Sequence, residues 1–146
     1  MGESGRIGSE SAAVQTHLTI MQAVIERMSS NSTSCKAWCI TLVSAILVIV
    51  ADKGRPNYAL LPLIPTILFL VLDAYYLALE RGFRESYNSF IEKLNKGEVE
   101  ATDLFYITRK GRLLKKIGCA LLSFAIWPFY TMLGVMVLLA KVLVIG

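Results

Sequence analysis

Asp73 is the residue most able to do chemistry, because it lies inside an otherwise apolar run, Tyr58 to Leu79. It precedes Glu80 by seven positions, which on a helix places it roughly 10 Å inside the charged end of that run. A carboxylate at that depth of a bilayer costs several kcal/mol unless it is paired, protonated or hydrated. Lys36, Trp38 and Thr41 on the preceding apolar segment are its candidate partners. Two roles follow: a group that draws cations to a pore mouth, or a buried polar contact that holds two spans together.

Weaker polar stripes accompany it. Ala37, Thr41, Ser44 and Val48 recur at helical spacing on one apolar segment, and Ser123, Trp127, Thr131 and Gly134 on another. Small and hydroxyl residues in that pattern suit helix–helix contact, or the lining of a narrow oligomeric channel. Arg109, Lys110, Arg112, Lys115 and Lys116 put five basic residues within eight positions. Such a cluster suits topology anchoring and contact with anionic lipid, or binding of a phosphate-bearing signal. No glycine-rich phosphate loop accompanies it.

Catalysis and metal chemistry find little to work with. No HExxH, CxxC, GxSxG or P-loop pattern occurs, so no enzyme is expected. His17 is the single histidine, and the three cysteines, Cys35, Cys39 and Cys119, follow no disulfide or zinc spacing. Neither a metal nor a cofactor is expected.

Positioning these residues requires membrane helices. Apolar residues make up 55% of the 146 and charged ones 18%, against about 25% charged in a soluble domain. The deficit falls on three nearly charge-free segments. An all-α integral membrane protein with three transmembrane helices and amphipathic cytoplasmic helices is the predicted fold class.

Residues 1–12 read as a disordered tail rich in Gly, Ser and Glu. Met1 to Ile20 carry no secretory leader pattern. An amphipathic cytoplasmic helix is expected over 13–32, its apolar face formed by Val14, Leu18, Met21, Ile25 and Met28. The Ser29–Ser34 run reads as a break or a partly helical joint. The first span is placed at 33–51, with Lys36 snorkelling to the interface, and a polar turn follows at 52–57. The second span covers 58–79, with Pro62 and Pro65 near its start. A cytoplasmic stalk helix, 80–97, continues it, with Phe83, Tyr87, Ile91 and Leu94 on its apolar face and Gly97 as its cap. A short helix and the basic cluster occupy 102–116, and the third span 117–140.

The two amphipathic faces need partners: each other, or other copies of the chain. Leu18, Met21, Ile25, Met28, Phe83, Tyr87, Ile91 and Leu94 are therefore the candidate oligomer contacts. Of the 15 basic residues, three fall in 1–36, two in 52–57, nine in 80–116 and one at the C-terminal end. The positive-inside rule then gives a multi-pass protein of the cell inner membrane with a cytoplasmic N-terminus.

Met21-Gln22, Ile25, Arg27-Met28, Asn31-Ser32, Lys36 and Trp38, with Leu72-Asp73-Ala74-Tyr75-Tyr76, Leu79-Glu80-Arg81, Phe83-Arg84 and Tyr87, form a pattern that resembles small prokaryotic membrane proteins. The layout is similar to the SLATT-type membrane effectors. The resemblance covers roughly residues 16–92 and excludes the third span. It implies an oligomeric channel-forming or membrane-disrupting effector in bacterial antiphage defence, gated by a nucleotide or oligonucleotide signal or by a partner protein. A non-conducting membrane anchor for a soluble partner is the alternative.

Overall fold

A computed structural model of the chain describes residues 8–54 and 58–142, and these are all-helical, with no strand among them. Four α-helices occur in the order α1 (Ala12–Asp52), α2 (Leu63–Lys96), α3 (Leu113–Leu121) and α4 (Trp127–Ala140), with a 3-10 turn, Ala101–Phe105, between α2 and α3. The expected tail lies mostly in residues 1–7 and the expected polar turn mostly in 55–57, both outside the described residues.

α1 and α2 form a hairpin that is the spine of the fold. The 41 residues of α1 give a rod of roughly 60 Å. The expected joint at Ser29–Ser34 is instead continuous helix. Thr33 Oγ1 donates to the Ser29 carbonyl at 3.3 Å, so one hydroxyl of the run reinforces the helix rather than competing with it. Ser32 turns inward, against α2. One inward stripe therefore runs unbroken through Val14, Met21, Met28, Ser32, Cys35, Cys39 and Val43.

α2 starts at Leu63, five residues later than the expected second span. Pro62 precedes it and Pro65 occupies its first turn, where the missing amide would have no helical acceptor. The helix then continues past the apolar run to Lys96 without interruption, as a span with its stalk. Gly97 ends it at φ 69°. The Glu98 amide returns to the Lys93 carbonyl and the Gly97 amide to Leu94, both at 3.0 Å. That crossed pair is the Schellman ending, and its left-handed residue favours glycine.

The expected third span is not one helix. α3 covers nine residues and α4 fourteen, separated by turns over 122–126. α4 alone is about 21 Å long, short of the ~30 Å apolar core of a bilayer. Pro128 sits in its first turn, and the Ser123 hydroxyl is held by Arg81 of α2 at 2.7 Å. Both favour ending one helix and starting another here. The expected short helix at the start of 102–116 is a 3-10 turn, Ala101–Phe105, and the basic cluster that follows lies on extended chain and the start of α3.

A stripe of small residues on α2, Ala74, Ala78, Gly82 and Ser86, receives the returning chain. Ala74 and Ala78 join Cys39, Val43, Ala120, Ile126, Tyr130, Leu133 and Val137 in the larger core. At Gly82 a Cβ would meet Arg109 Cβ at 3.2 Å and the Lys110 carbonyl at 3.3 Å. The Lys110 amide donates to the Gly82 carbonyl at 3.1 Å, and Ser86 Oγ to the Thr108 carbonyl at 2.5 Å. Spacing of four places all four small side chains on one face, so backbones approach closely there. A second core, Val14, Met21, Phe90 and Val99, closes the far end of the hairpin.

α1 and α2 are both long and apolar enough to cross a membrane. Within their most apolar stretches only 22% and 28% of residues are buried. Val48, Ile49, Ile64, Ile67, Leu68, Val71, Met132, Val135 and Leu138 all face outward.

Candidate functional site

Asp73 is fully buried, on the face of α2 that meets α1. Its Oδ1 accepts a hydrogen bond from Ser32 Oγ. Its Oδ2 faces the Lys36 ammonium at 2.5 Å, and has no hydrogen-bond partner beyond that ion pair. Lys36 Nζ also lies 3.4 Å from Ser32 Oγ. Serine and lysine are four positions apart on α1, so one helical turn delivers both to the same carboxylate. Lys36 was foreseen as a partner; Trp38 and Thr41 are exposed and make no such contact. Ser32 was not foreseen, although Ser32 and Lys36 share the inward stripe of α1.

The arrangement can neutralise a charge inside the hairpin and hold the two helices in register. It does not place Asp73 in a line with the other polar candidates. Thr41, Ser44 and Thr131 are on the outer surface, and Ser123 is tied to Arg81. Thr41 donates to the Ala37 carbonyl at 2.9 Å in its own helix. The stripes Ala37–Thr41–Ser44–Val48 and Trp127–Thr131 thus face outward, while Cys39–Val43 and Tyr130–Leu133–Val137 face inward. Ser44 and Thr131 instead line a groove of about 940 Å³ between α1 and α4, walled by Ile40, Met132, Met136 and Leu139.

Charge gathers where the apolar stretches end. Glu80 pairs with Arg84 at 2.7 Å and Glu85 with Lys116 at 2.5 Å. The expected lipid cluster is therefore divided: Lys116 is engaged by Glu85, Lys110 reaches Ser89 Oγ at 2.5 Å, and Arg109 donates to the Gly111 carbonyl at 3.0 Å. Arg112 and Lys115 are exposed and remain open to lipid or an anion.

The residues expected as oligomer contacts lie along the pairing of α1 with α2 within one chain. Met21 and Met28 are buried, and Leu18, Ile25, Phe83, Tyr87, Ile91 and Leu94 are half-buried. Of the two pairings open to these faces, α1 against the stalk of α2 is the one formed, because the hairpin brings them together without a second copy. Gln22 Nε2 donates to the Tyr87 hydroxyl across that contact at 3.1 Å.

The 3-10 turn is fastened by Lys93, which meets Asp103 at 2.9 Å, while Asp103 and Glu100 form a capping box. The Lys93 ammonium first, and the Glu100 amide second, hold the Asp103 carboxyl below its ordinary range. A depressed carboxyl stabilises the fold above its unfolded value, about 3.9, and loses that contribution as pH falls through the folded value. Amide exchange over 101–105 is expected to accelerate only well below pH 4, and a carbon-detected titration should place the Asp103 midpoint under the free value. A midpoint at or above the free value would contradict the pairing.

The chain matches no protein-family model, no curated protein and no solved structure. The functional argument therefore rests on the buried acid, the outward apolar faces and the chemistry of the polar end.

Proposed function

We propose that this protein is an oligomeric membrane effector. It crosses the inner membrane with a cytoplasmic N-terminus and permeabilises it when copies assemble. The observation that carries this reading is the outward apolar surface of α1, α2 and α4. A soluble monomer rarely exposes apolar patches beyond a few hundred Å², whereas lipid solvates such a surface.

α4 is the third crossing in this reading, and at about 21 Å it crosses by thinning the bilayer locally. Its Tyr130 hydroxyl meets the Phe69 carbonyl at 3.1 Å and its Val137 is buried in the core shared with α1 and α2, so it runs beside the hairpin. The break at 122–126 falls at the level of the Arg81 contact, in the charged belt, where unpaired backbone groups find water.

Asp73 is sealed by Lys36 and Ser32, so a polar path through one chain has no entrance there. A path between copies has better material. Ser44 and Thr131 lie in an apolar groove on the outer wall, where lipid tails offer their hydroxyls nothing and a second copy offers partners. The resemblance to SLATT-type effectors supplies the setting, antiphage defence, and a gate at the cytoplasmic end.

The rival is a non-conducting anchor for a soluble partner, which the sealed Lys36–Asp73 pair favours. Proximity across the groove distinguishes membership in an assembly from a lone anchor. Cys35 and Cys39 are buried and Cys119 is exposed, so Thr131→Cys in a Cys119→Ser background gives one reactive outer thiol. Mild oxidation in membranes is expected to yield disulfide-linked dimers. Monomer alone, with the thiol shown to be reactive, would contradict assembly through this face.

A further inference from the structure

The polar end of the hairpin encloses a cavity of about 410 Å³, at the junction of the first turns of α1, the stalk of α2 and the chain from 102 to 110. Its size lies within the range of small-molecule sites. His17 is almost completely buried beside it, with its ring 4.6 Å from that of Phe90. Nδ1 of His17 lies 2.9 Å from the Leu104 carbonyl, so Nδ1 carries the hydrogen and donates it. In the neutral ring Nε2 is then an acceptor, and it is buried with no partner among the described residues. Buried polar groups almost always have one.

Two ammonium groups line the same cavity. Lys93 rests on Asp103, and Lys110 on the neutral Ser89 hydroxyl. Asp103 is the one carboxylate among the lining residues, against two ammoniums. Lys93 is about half exposed, so its present contact exchanges at little cost. The cavity therefore offers two ammoniums for an anion, and His17, which lines it, keeps an unpartnered ring nitrogen among the described residues.

We infer that this cavity binds a small hydroxylated organic phosphate, its anionic oxygens between Lys93 and Lys110 and one of its hydroxyls donating to His17 Nε2. A phosphate monoester fits better than a lone carboxylate because it brings close to two negative charges to two ammoniums, where a carboxylate brings one. The same chemistry exists free in solution and in a glycerol-phosphate lipid headgroup. Binding here does not depend on whether the protein conducts.

The test uses the full chain in phosphatidylcholine nanodiscs, with ribose 5-phosphate as probe and ribose or inorganic phosphate as partial probes. Ribose 5-phosphate is expected to raise the melting temperature in a saturable way, and each partial probe to bind about tenfold more weakly or less, one lost hydrogen-bonded group being worth that factor. His17→Asn keeps a donor for the Leu104 carbonyl and removes the Nε2 acceptor. Lys110→Gln removes a charge from an exposed position. Each is expected to weaken ribose 5-phosphate about tenfold, Lys110→Gln with the unliganded melting temperature retained and His17→Asn with it lowered, because the ring packs on Phe90. Phosphatidylglycerol in the disc separates the sources: competition with the probe assigns the site to the headgroup, and no competition to a soluble ligand, and both support the chemistry. No response to millimolar ribose 5-phosphate in wild-type protein, or an equal response in both variants, would overturn the assignment.

Discussion

Lys36→Met is expected to destabilise the hairpin by about 3–5 kcal/mol, because it strands a carboxylate that has no route to water. Asp73 is fully buried, whereas Lys36 keeps a quarter of its side chain exposed. The two partners are therefore unequal. Removing the acid with Asp73→Asn leaves an ammonium that can turn toward the interface and an amide that still accepts from Ser32, so its loss should be smaller. Removing both, with Lys36→Met and Asp73→Leu together, should recover most of the stability, since an apolar pair of similar volume often does as well as a buried ion pair. Unfolding of all three variants in mixed micelles closes the cycle. A Lys36→Met loss no larger than that of Asp73→Asn would show that the carboxylate is solvated, and would reopen a pore role for it.

Met21→Ala should cost about 2–4 kcal/mol, the usual range for emptying a filled methionine site in a core. Met21 is 3% exposed and packs with Val14, Phe90 and Val99. This core is small, and the 3-10 turn leans on it through Leu104 and the chain after the turn through Ile107. The loss should therefore appear locally, as faster hydrogen exchange over 99–110, with α1 and α2 still inserted. Ile25→Ala, on the half-buried edge of the same face, should cost less. Unchanged exchange in Met21→Ala would mean that the cores at the two ends of the hairpin are not separate units.

The amphipathic ends were legible in the sequence because water imposes contrast on them. Val14, Met21 and Met28 recur at helical spacing among polar residues and are buried, while on the stalk Phe83, Tyr87, Ile91 and Leu94 are half-buried and the neighbouring Phe90 is the buried one. The apolar half offered no such contrast. Outward-facing Val48 and Ile64 are as apolar as core-facing Val43 and Leu77, so a period cannot tell inside from outside. The hydroxyl stripes suit either helix contact or channel lining, and the inward positions within one chain are instead Cys39 and Val43, and Tyr130 and Leu133. A better signal was present in Ala74, Ala78, Gly82 and Ser86, small side chains at every fourth position, which mark where the backbone admits a close neighbour.

Asp73 stood out because a charge within an apolar run is costly wherever it points. Its lysine partner followed from the same cost. Its serine partner did not, because Ser32 sits in a polar run that reads as a joint and is in fact uninterrupted helix. The break at 122–126 was hidden for the opposite reason. Composition from Ile117 to Ala140 is uniformly apolar, and only the tie between Arg81 and Ser123, with Pro128 following, fixes where one helix stops and the next begins.

Release of an entrapped dye from liposomes, measured on Thr131→Cys/Cys119→Ser before and after oxidation, tests the central claim most directly. Cross-linking holds copies together through the α1–α4 groove and so bypasses any signal that would assemble them. The account predicts sealed liposomes at low protein density under reducing conditions, and release once the copies are linked, reversed by reductant. Liposomes that stay sealed when the inserted protein is fully cross-linked would contradict the permeabilising role and leave the protein as a membrane anchor.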